Sequence, residues 1–238
     1  GAVVNVCGES NPVLIDTENK DADIEDEIVA PVADYVANLA ENILAFTEVA
    51  LNGVRQDVRT QETNQGNLIA DALLWQAQEL ADAFDAPTPD VALQNGGGIR
   101  NNTIIPADSD ISELITFDML PFSNFVSIME PLPASQFKEI LENAVSRIED
   151  VSGRFAQVAG FTFVYDLSGT PQELDGDGNV ITAGSRVVSA ALDDGTVIIE
   201  GGEVVAGAPD ITVTTINFLA RGGDQYPFRG ADFVALGV

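Results

Sequence analysis

Histidine is missing from all 238 residues of this chain, and cysteine occurs once, as Cys7. Without histidine the chain by itself holds no Ser-His-Asp triad, no His-paired cysteine nucleophile and no His-ligated zinc or di-metal centre. One cysteine excludes an internal disulfide and a Cys-based zinc site, so stability must come from packing, and Cys7 reads as a buried or incidental thiol. Lysine is nearly absent as well: only Lys20 and Lys138 occur, and the rest of the ten cations are arginine. Apolar runs stay well short of the ~18–20 residues of a membrane helix. No cationic segment precedes the first apolar residues, so no signal peptide is read there. The strand-like start reads as that of a chain cut from something longer.

Acid is what the chain has in excess. Thirty-eight Asp and Glu against ten Lys and Arg give a formal charge of −28. That balance repels a nucleic-acid polymer or an anionic membrane. A surface so acidic and so poor in lysine suits a saline environment, where salt screens the mutual repulsion. With 45% hydrophobic residues, the length suits one substantial domain or two small ones with a sizeable core.

Ile24, Ile28, Val32, Tyr35, Val36, Leu39 and Ile43 recur at three- and four-residue steps, an apolar helical stripe that Pro31 should kink or start late. Residues 46–51 read as a strand. Residues 63–84 read as a long helix with Leu68, Ala72, Leu73, Ala77 and Leu80 inward. A buried strand over 90–94 feeds the run Gly96-Gly97-Gly98, and Asp110 with Glu113 forms a capping box. Residues 133–149 give the clearest helix, with Phe137, Ile140, Leu141, Ala144, Val145 and Ile148 on one face. Strands are expected at 125–129, 155–165, 187–192, 196–200 and 211–216, with Asp193-Asp194-Gly195 as a hairpin turn. Early helices mixed with strands, and strands crowding the end, argue an α+β fold with a mixed β-sheet and packed helices.

Several segments carry possible chemistry. Asn95-Gly-Gly-Gly-Ile-Arg100 follows a buried strand directly. Its glycines let backbone amides approach a ligand, and Arg100 can grip a phosphate or carboxylate; a tight turn with a surface arginine is the other reading. It is neither a Walker loop nor a dinucleotide fingerprint. Arg55 and Arg59, four apart, read either as ligand-facing or as solvated and paired with nearby acid. Phe122 and Phe218 sit among Pro, Asn and Gly, so each is either core or a ring for stacking a planar ligand. Asp224, after Gly222-Gly223, is a turn residue or an acceptor for a hydroxyl. Asp175-Gly-Asp-Gly-Asn179 lacks the spacing and closing Glu of an EF-hand and reads as a hairpin turn.

Taken in order, these segments form a set. Arg-x-x-x-Arg with Glu62-Thr-Asn-x-Gly-Asn-Leu-Ile-Ala-Asp71, then Asn-Gly-Gly-Gly-Ile-Arg, Pro-Phe-x-Asn124, Ser152-Gly153-Arg-Phe-x-Gln-Val and Asn217-Phe-Leu-Ala-x-Gly-Gly-Asp resembles the C-terminal domain of the 5′-nucleotidase family. The match runs in register from about Asn11 to Tyr226. The resemblance implies a substrate-binding domain that partners an N-terminal metallophosphatase domain, where two divalent metal ions perform the hydrolysis. It places Arg55, Arg59 and Arg100 at the substrate's phosphate end, Phe122 and Phe218 around the base, and Asp224 at the ribose hydroxyls. Asn95, Gly97, Asn124 and Gly153 fall at lesser contacts, whereas Gln65 and Gln225 are not expected to touch substrate. Residues 1–21 are expected to be the remnant of the catalytic domain, 22–45 a linker helix and 46–238 the binding domain.

The resulting expectation is the nucleotide- or nucleoside-binding part of a periplasmic or extracellular phosphoester hydrolase. It would have no metal or cofactor of its own, no catalytic residue, no membrane span, and no hydrolysis by the chain alone. The alternatives are a free-standing nucleoside-binding module without chemistry, and a structural domain without a ligand. The intact set of arginines, phenylalanines and aspartate speaks against the last.

Overall fold

The structure, a computed structural model, describes residues 21–237 together with the backbone of the short strands Ala2–Val4 and Val13–Ile15. Those two strands pair antiparallel, Ala2 opposite Ile15. Cys7 and Lys20 lie outside the described residues, as does most of the expected remnant 1–21. Two compact units result: residues up to 46 with 110–116, and residues 47–109 with 117–238.

In the first unit, Asp21 caps a helix by accepting from the amides of Asp23 and Ile24. The helix runs as α-helix over Ala22–Ile24, a π-helical turn over Glu25–Val29, and α-helix again over Ala30–Glu41. Pro31 thus does not mark the start of the helix, which begins at Ala22, and stands in the first turn of the Ala30–Glu41 stretch directly after the π turn. Its ring would press on the carbonyl four residues back, and the wider π turn just before it, closed by Ala30 N–H on Glu25 O, supplies the room. Of the apolar stripe only Leu39 is buried. The strand expected at 46–51 is two pieces, Ile43–Thr47 and Leu51–Asn52, because the Thr47 hydroxyl donates to Val49 O and turns the chain between them. Ile43–Thr47 pairs with Ser109–Ser112. That pairing draws Asp110 into a strand, so the helix Glu113–Met119 is capped instead by Ser112, whose Oγ accepts from Ile115 N.

The second unit is built on a five-stranded sheet in the order Phe233–Ala235, Val126–Met129, Val213–Ile216, Val91–Asn95, Ala156–Ala159. Only Val213–Ile216 and Val91–Asn95 run parallel, with Val213 opposite Val91; the other neighbours are antiparallel. Val91–Asn95 is buried along its whole length, which matches its unbroken Val-Ala-Leu start. The strand expected over 155–165 breaks at Gly160, whose φ of +82° carries the chain from Ala156–Ala159 into Phe161–Tyr165, the edge of a second, four-stranded antiparallel sheet. A Cβ at Gly160 would lie 2.4 Å from Asp90 O, so only glycine fits there. The 193–195 turn joins Val187–Leu192 to Val197–Glu200. Residues 175–179 likewise turn between Glu173–Leu174 and Val180–Thr182, the Asp175 carboxylate accepting from the amides of Asp177 and Asn179.

Two helices cover these sheets. Ala134–Val145 buries Phe137, Ile140, Leu141, Ala144 and Val145, the face that its periodicity predicts, in one core with Leu93, Ile199 and Val213. Each large apolar side chain so buried contributes roughly 1.5–3 kcal/mol. Asn64–Leu80 crosses the five-stranded sheet but buries Gln65, Gly66, Ile69, Ala70, Leu73 and Ala77, leaving Leu68 and Ala72 exposed and Leu80 half-buried. The inward face is rotated from the expected one because Gly66 packs directly on Gln157, where a Cβ would come within 2.2 Å. The α+β class with a mixed sheet is as expected from sequence.

Candidate functional site

The parallel strands Val91–Asn95 and Val213–Ile216 end side by side, and ligand sites in α/β sheets gather beyond such carboxyl ends. Here the first strand feeds the glycine run and the second feeds the short helix Asn217–Ala220. Around them lies an open cavity of about 480 Å³. All ten residues singled out from the sequence line it: Arg55, Arg59, Asn95, Gly97, Arg100, Phe122, Asn124, Gly153, Phe218 and Asp224. Gly98 and Ile216 line it as well and were not anticipated.

The arginines come from two loops. Arg59 lies in the 3-10 turn Asp57–Arg59, and Arg55 just before it, on a segment tied down from several directions. Asn52 Nδ2 donates to Asp57 Oδ2 at 2.7 Å, Arg55 N donates to Asn102 Oδ1 at 2.9 Å, and Gln157 Nε2 donates to Val58 O and Gln61 O at 3.0 and 2.9 Å. Gly96 backs the same segment, since a Cβ there would sit 2.1 Å from Val58 O. The glycine run thus serves packing as much as ligand approach. Arg100 leaves that run with Nη1 donating to Gly97 O at 3.3 Å. Its guanidinium lies over the Phe122 ring, 5.3 Å from the centroid.

Arg59 is only 6% exposed and its Nε has no hydrogen-bond partner. Burial lowers its pKa, the neighbouring charges of Arg55 and Arg100 lower it further, and Asp224 opposes them. Among the described residues Arg55, Arg59 and Arg100 form no salt bridge, whereas Arg147, Arg186 and Arg229 each pair with a carboxylate. Three clustered cations that form no salt bridge among the described residues, facing one carboxylate, Asp224, in a chain of charge −28, make a site for an anionic group.

Phe122 and Phe218 are 52% and 46% exposed, so neither ring is core. Their loops are joined by Phe125 and Asn217: Asn217 N donates to Phe125 O at 2.9 Å, and Phe125 N donates to Asn217 Oδ1 at 3.1 Å. Gly223 leaves room for the Phe218 ring, to which a Cβ would approach within 2.6 Å. Asn124 follows Phe122 on the same loop. Gly97 and Gly153 meet backbone to backbone, Gly97 N donating to Gly153 O at 2.8 Å, and a Cβ on either would lie 3.0 Å from the other's Cα. Asn95 Nδ2 donates to Asp224 Oδ2 at 2.6 Å, and Gln94 Nε2 orients Asn95 by donating to its Oδ1 at 3.0 Å.

Gln65 pairs with Asn101, Nε2 donating to Asn101 Oδ1 at 2.8 Å, and Gln225 accepts from Arg154; neither lines the cavity. Sequence reasoning gave no role to Gln157, although the quoted Ser-Gly-Arg-Phe-x-Gln-Val motif contains it. Among the described residues no three His, Cys, Asp or Glu side chains converge as a metal ion would need, and no helix is long and apolar enough to cross a membrane.

The family model of the 5′-nucleotidase C-terminal domain matches residues 42–230. A trifunctional nucleotide phosphoesterase of Bacillus subtilis is 36% identical over 77% of this chain and 11% of its own length. The venom 5′-nucleotidase of the snake Macrovipera lebetinus is 31% identical over 98% of this chain and 53% of its own. In structure, the 5′-nucleotidase precursor of Thermus thermophilus superposes with a TM-score of 0.69 at 31% identity, over 89% of this chain and 37% of that one. The chain thus spans about half, or less, of the length of these relatives. With nearly four-fifths of its residues inside the family model, the chain belongs to the family of 5′-nucleotidase C-terminal domains.

Proposed function

We propose that this chain is the nucleotide- or nucleoside-binding part of a 5′-nucleotidase-type phosphoester hydrolase acting outside the cytoplasm. The observation that carries the reading is the cavity itself: three arginines that form no salt bridge among the described residues, two exposed phenylalanine rings and one anchored carboxylate on a single wall system. In this reading the base stacks between Phe122 and Phe218, on the face of Phe122 that Arg100 leaves free. Such stacking accepts any base, at roughly 1–3 kcal/mol per base. Asp224 Oδ2 is engaged by Asn95, leaving Oδ1 to accept from the ribose hydroxyls. Arg55, Arg59 and Arg100 take the phosphate, and Gly97, Asn124 and Gly153 supply smaller contacts. In this reading the chain binds and orients the nucleotide. The hydrolysis belongs to a partner metallophosphatase domain holding two divalent ions, so the chain alone is expected to be inactive.

Calorimetric titration with adenosine and with AMP, in buffer containing salt, tests this reading. Micromolar to millimolar binding is expected, tighter for AMP. Phe218→Ala should weaken it by about tenfold, the low end of the value of one stacked ring. Absence of heat with both ligands, or full affinity after both Phe122→Ala and Phe218→Ala, would overturn the assignment.

A further inference from the structure

Asp224 presents its carboxylate from a backbone conformation that side-chain-bearing residues disfavour. Asp224 and the next residue, Gln225, have φ values of +52° and +58°, two consecutive non-glycine residues in the left-handed region. Such a pair persists only where its surroundings hold it. Here the backbone closes the bend, Gln225 N donating to Gly222 O and Tyr226 N to Gly223 O at 3.1 Å each, and one side chain braces it from outside. Arg154, next in sequence to Gly153 of the cavity wall, is 9% exposed. Its Nη2 donates to Gln225 Oε1 at 2.7 Å, and its Nη1 donates to Asn143 Oδ1 at 3.0 Å and to Ser146 Oγ at 3.1 Å. Asn143, so oriented, donates from Nδ2 to the backbone carbonyl of Asp224 at 3.3 Å. The Tyr226 hydroxyl donates to the Arg154 carbonyl at 2.7 Å, fixing the residue beyond the bend to the same point.

The chemistry of this arrangement is uneconomical as packing alone. Every side-chain partner of the buried guanidinium is neutral, and no carboxylate pairs with it among the described residues. A buried cation whose bonded partners are all neutral is costly, even with the carboxylates of Asp224 and Asp150 near enough to favour its charge, and an apolar residue of similar length fills space at lower cost. What the guanidinium supplies and an apolar side chain cannot is a rigid fork reaching two points of one network at fixed angles.

We propose that Arg154 is a positioning residue: it holds the Asp224–Gln225 bend left-handed and thereby aims the Asp224 carboxylate at the sugar hydroxyls of the bound nucleoside. The aiming part rests on the nucleoside reading given above; the holding part does not. Arg154 itself touches no ligand in this account, so its loss should be felt selectively, through the hydroxyls and not through the base.

The experiment pairs a ligand-free readout with a ligand-dependent one. Backbone amide chemical shifts report the bend, and the ratio of affinities for adenosine and 2′,3′-dideoxyadenosine reports the carboxylate. In Arg154→Met the signals of Asp224 and Gln225 should move, and the preference for adenosine should fall about tenfold, the worth of one hydrogen bond to a charged group. Affinity for the dideoxynucleoside should change far less. Adding Gln225→Gly to Arg154→Met should restore much of the preference, because glycine takes a positive φ without strain. Arg154→Lys keeps the charge but not the fork and should fall between. Should Arg154→Met fail to fold, Gln225→Ala cuts the same bond from the exposed side and should lower the ratio similarly. Unmoved signals, or equal weakening of both nucleosides without rescue by glycine, would overturn the proposal. A wild type that binds neither nucleoside while its amide signals respond as stated would sustain the holding role and overturn the nucleoside reading on which the aiming rests.

Discussion

Eight arginines carry nearly all the positive charge of this chain, and their surroundings divide them. Arg186 is bound to Glu149 at 2.5 Å and also donates to Val145 O at 2.7 Å, while Arg55, Arg59 and Arg100 face the cavity with no salt bridge among the described residues. Glu149 is correspondingly held below the usual carboxylate range, chiefly by its hydrogen bond to Arg186. A depressed folded pKa contributes stability above the unfolded value of about 4.3, and that stability is lost as pH falls through the lower folded value. Glu149→Gln should therefore lower the unfolding midpoint at pH 7, and the gap to wild type should close in acid. Glu149 is half exposed, so the difference should stay under about 1 kcal/mol. Denaturant melts at neutral pH and at the acid end measure it, and a gap that survives acidification would mean the contribution is packing, not charge. At this scale the candidate residues are legible in sequence through the family resemblance, since each taken singly reads either as ligand-facing or as core, turn or solvated surface. Which arginines would lack a carboxylate is not, because pairs such as Arg229 with Glu139, 90 positions apart, form only in the fold.

The helix Asn64–Leu80 shows how an element can be legible while its orientation is not. Apolar residues at helical steps specify the helix, and Thr63 caps it through its Oγ1, which accepts from Gly66 N at 3.0 Å. Its inward face, however, is set by Gly66 against Gln157, the side chain that also binds Val58 O, Gln61 O and, through Oε1, Thr63 N. Helix propensity alone would favour Gly66→Ala by about 1 kcal/mol. The new Cβ would instead meet Gln157 at 2.2 Å, so the variant should be destabilised by roughly 1–3 kcal/mol. It should also bind AMP more weakly, because Gln157 holds the segment that carries Arg59. The exposed Leu68→Ala serves as the comparison and should stay within about 1 kcal/mol of wild type, since its side chain is already half in water. Stability of Gly66→Ala equal to or above wild type would show that the close contact relaxes freely. The break at Gly160 is of the same kind: a continuous strand pattern gives no sign that its two halves join different sheets.

Across the whole molecule the dominant quantity is the charge of −28. Mutual repulsion among the carboxylates opposes the compact state, and raising ionic strength from about 0.1 M to about 1 M shortens the screening length from about 10 to about 3 Å. Thermal stability should therefore climb with added sodium chloride, while affinity for AMP, which depends on the arginine cluster, should fall over the same range. Adenosine, without a phosphate, should be nearly insensitive. Stability that is flat in salt would mean the acidic surface does not oppose folding and would remove the argument for a saline environment. Loss of salt sensitivity for AMP would detach the arginines from the phosphate.

From the sequence alone follow the absence of any histidine or internal disulfide in this chain, the α+β class, and the clearest helix with its buried face; the loops of the candidate site follow from it only through the family resemblance. The first three depend on residue types and on spacings of a few positions, where periodicity and turn chemistry act directly. Only the tertiary structure decides that those loops converge on one cavity, that Asn95 anchors Asp224 across 129 positions, that Arg154 braces a left-handed bend, and which face of Asn64–Leu80 turns inward. The physical reason is common to all four: each is settled by contact between residues far apart in the chain, where close approach, burial and hydrogen-bond partners override what any local pattern specifies.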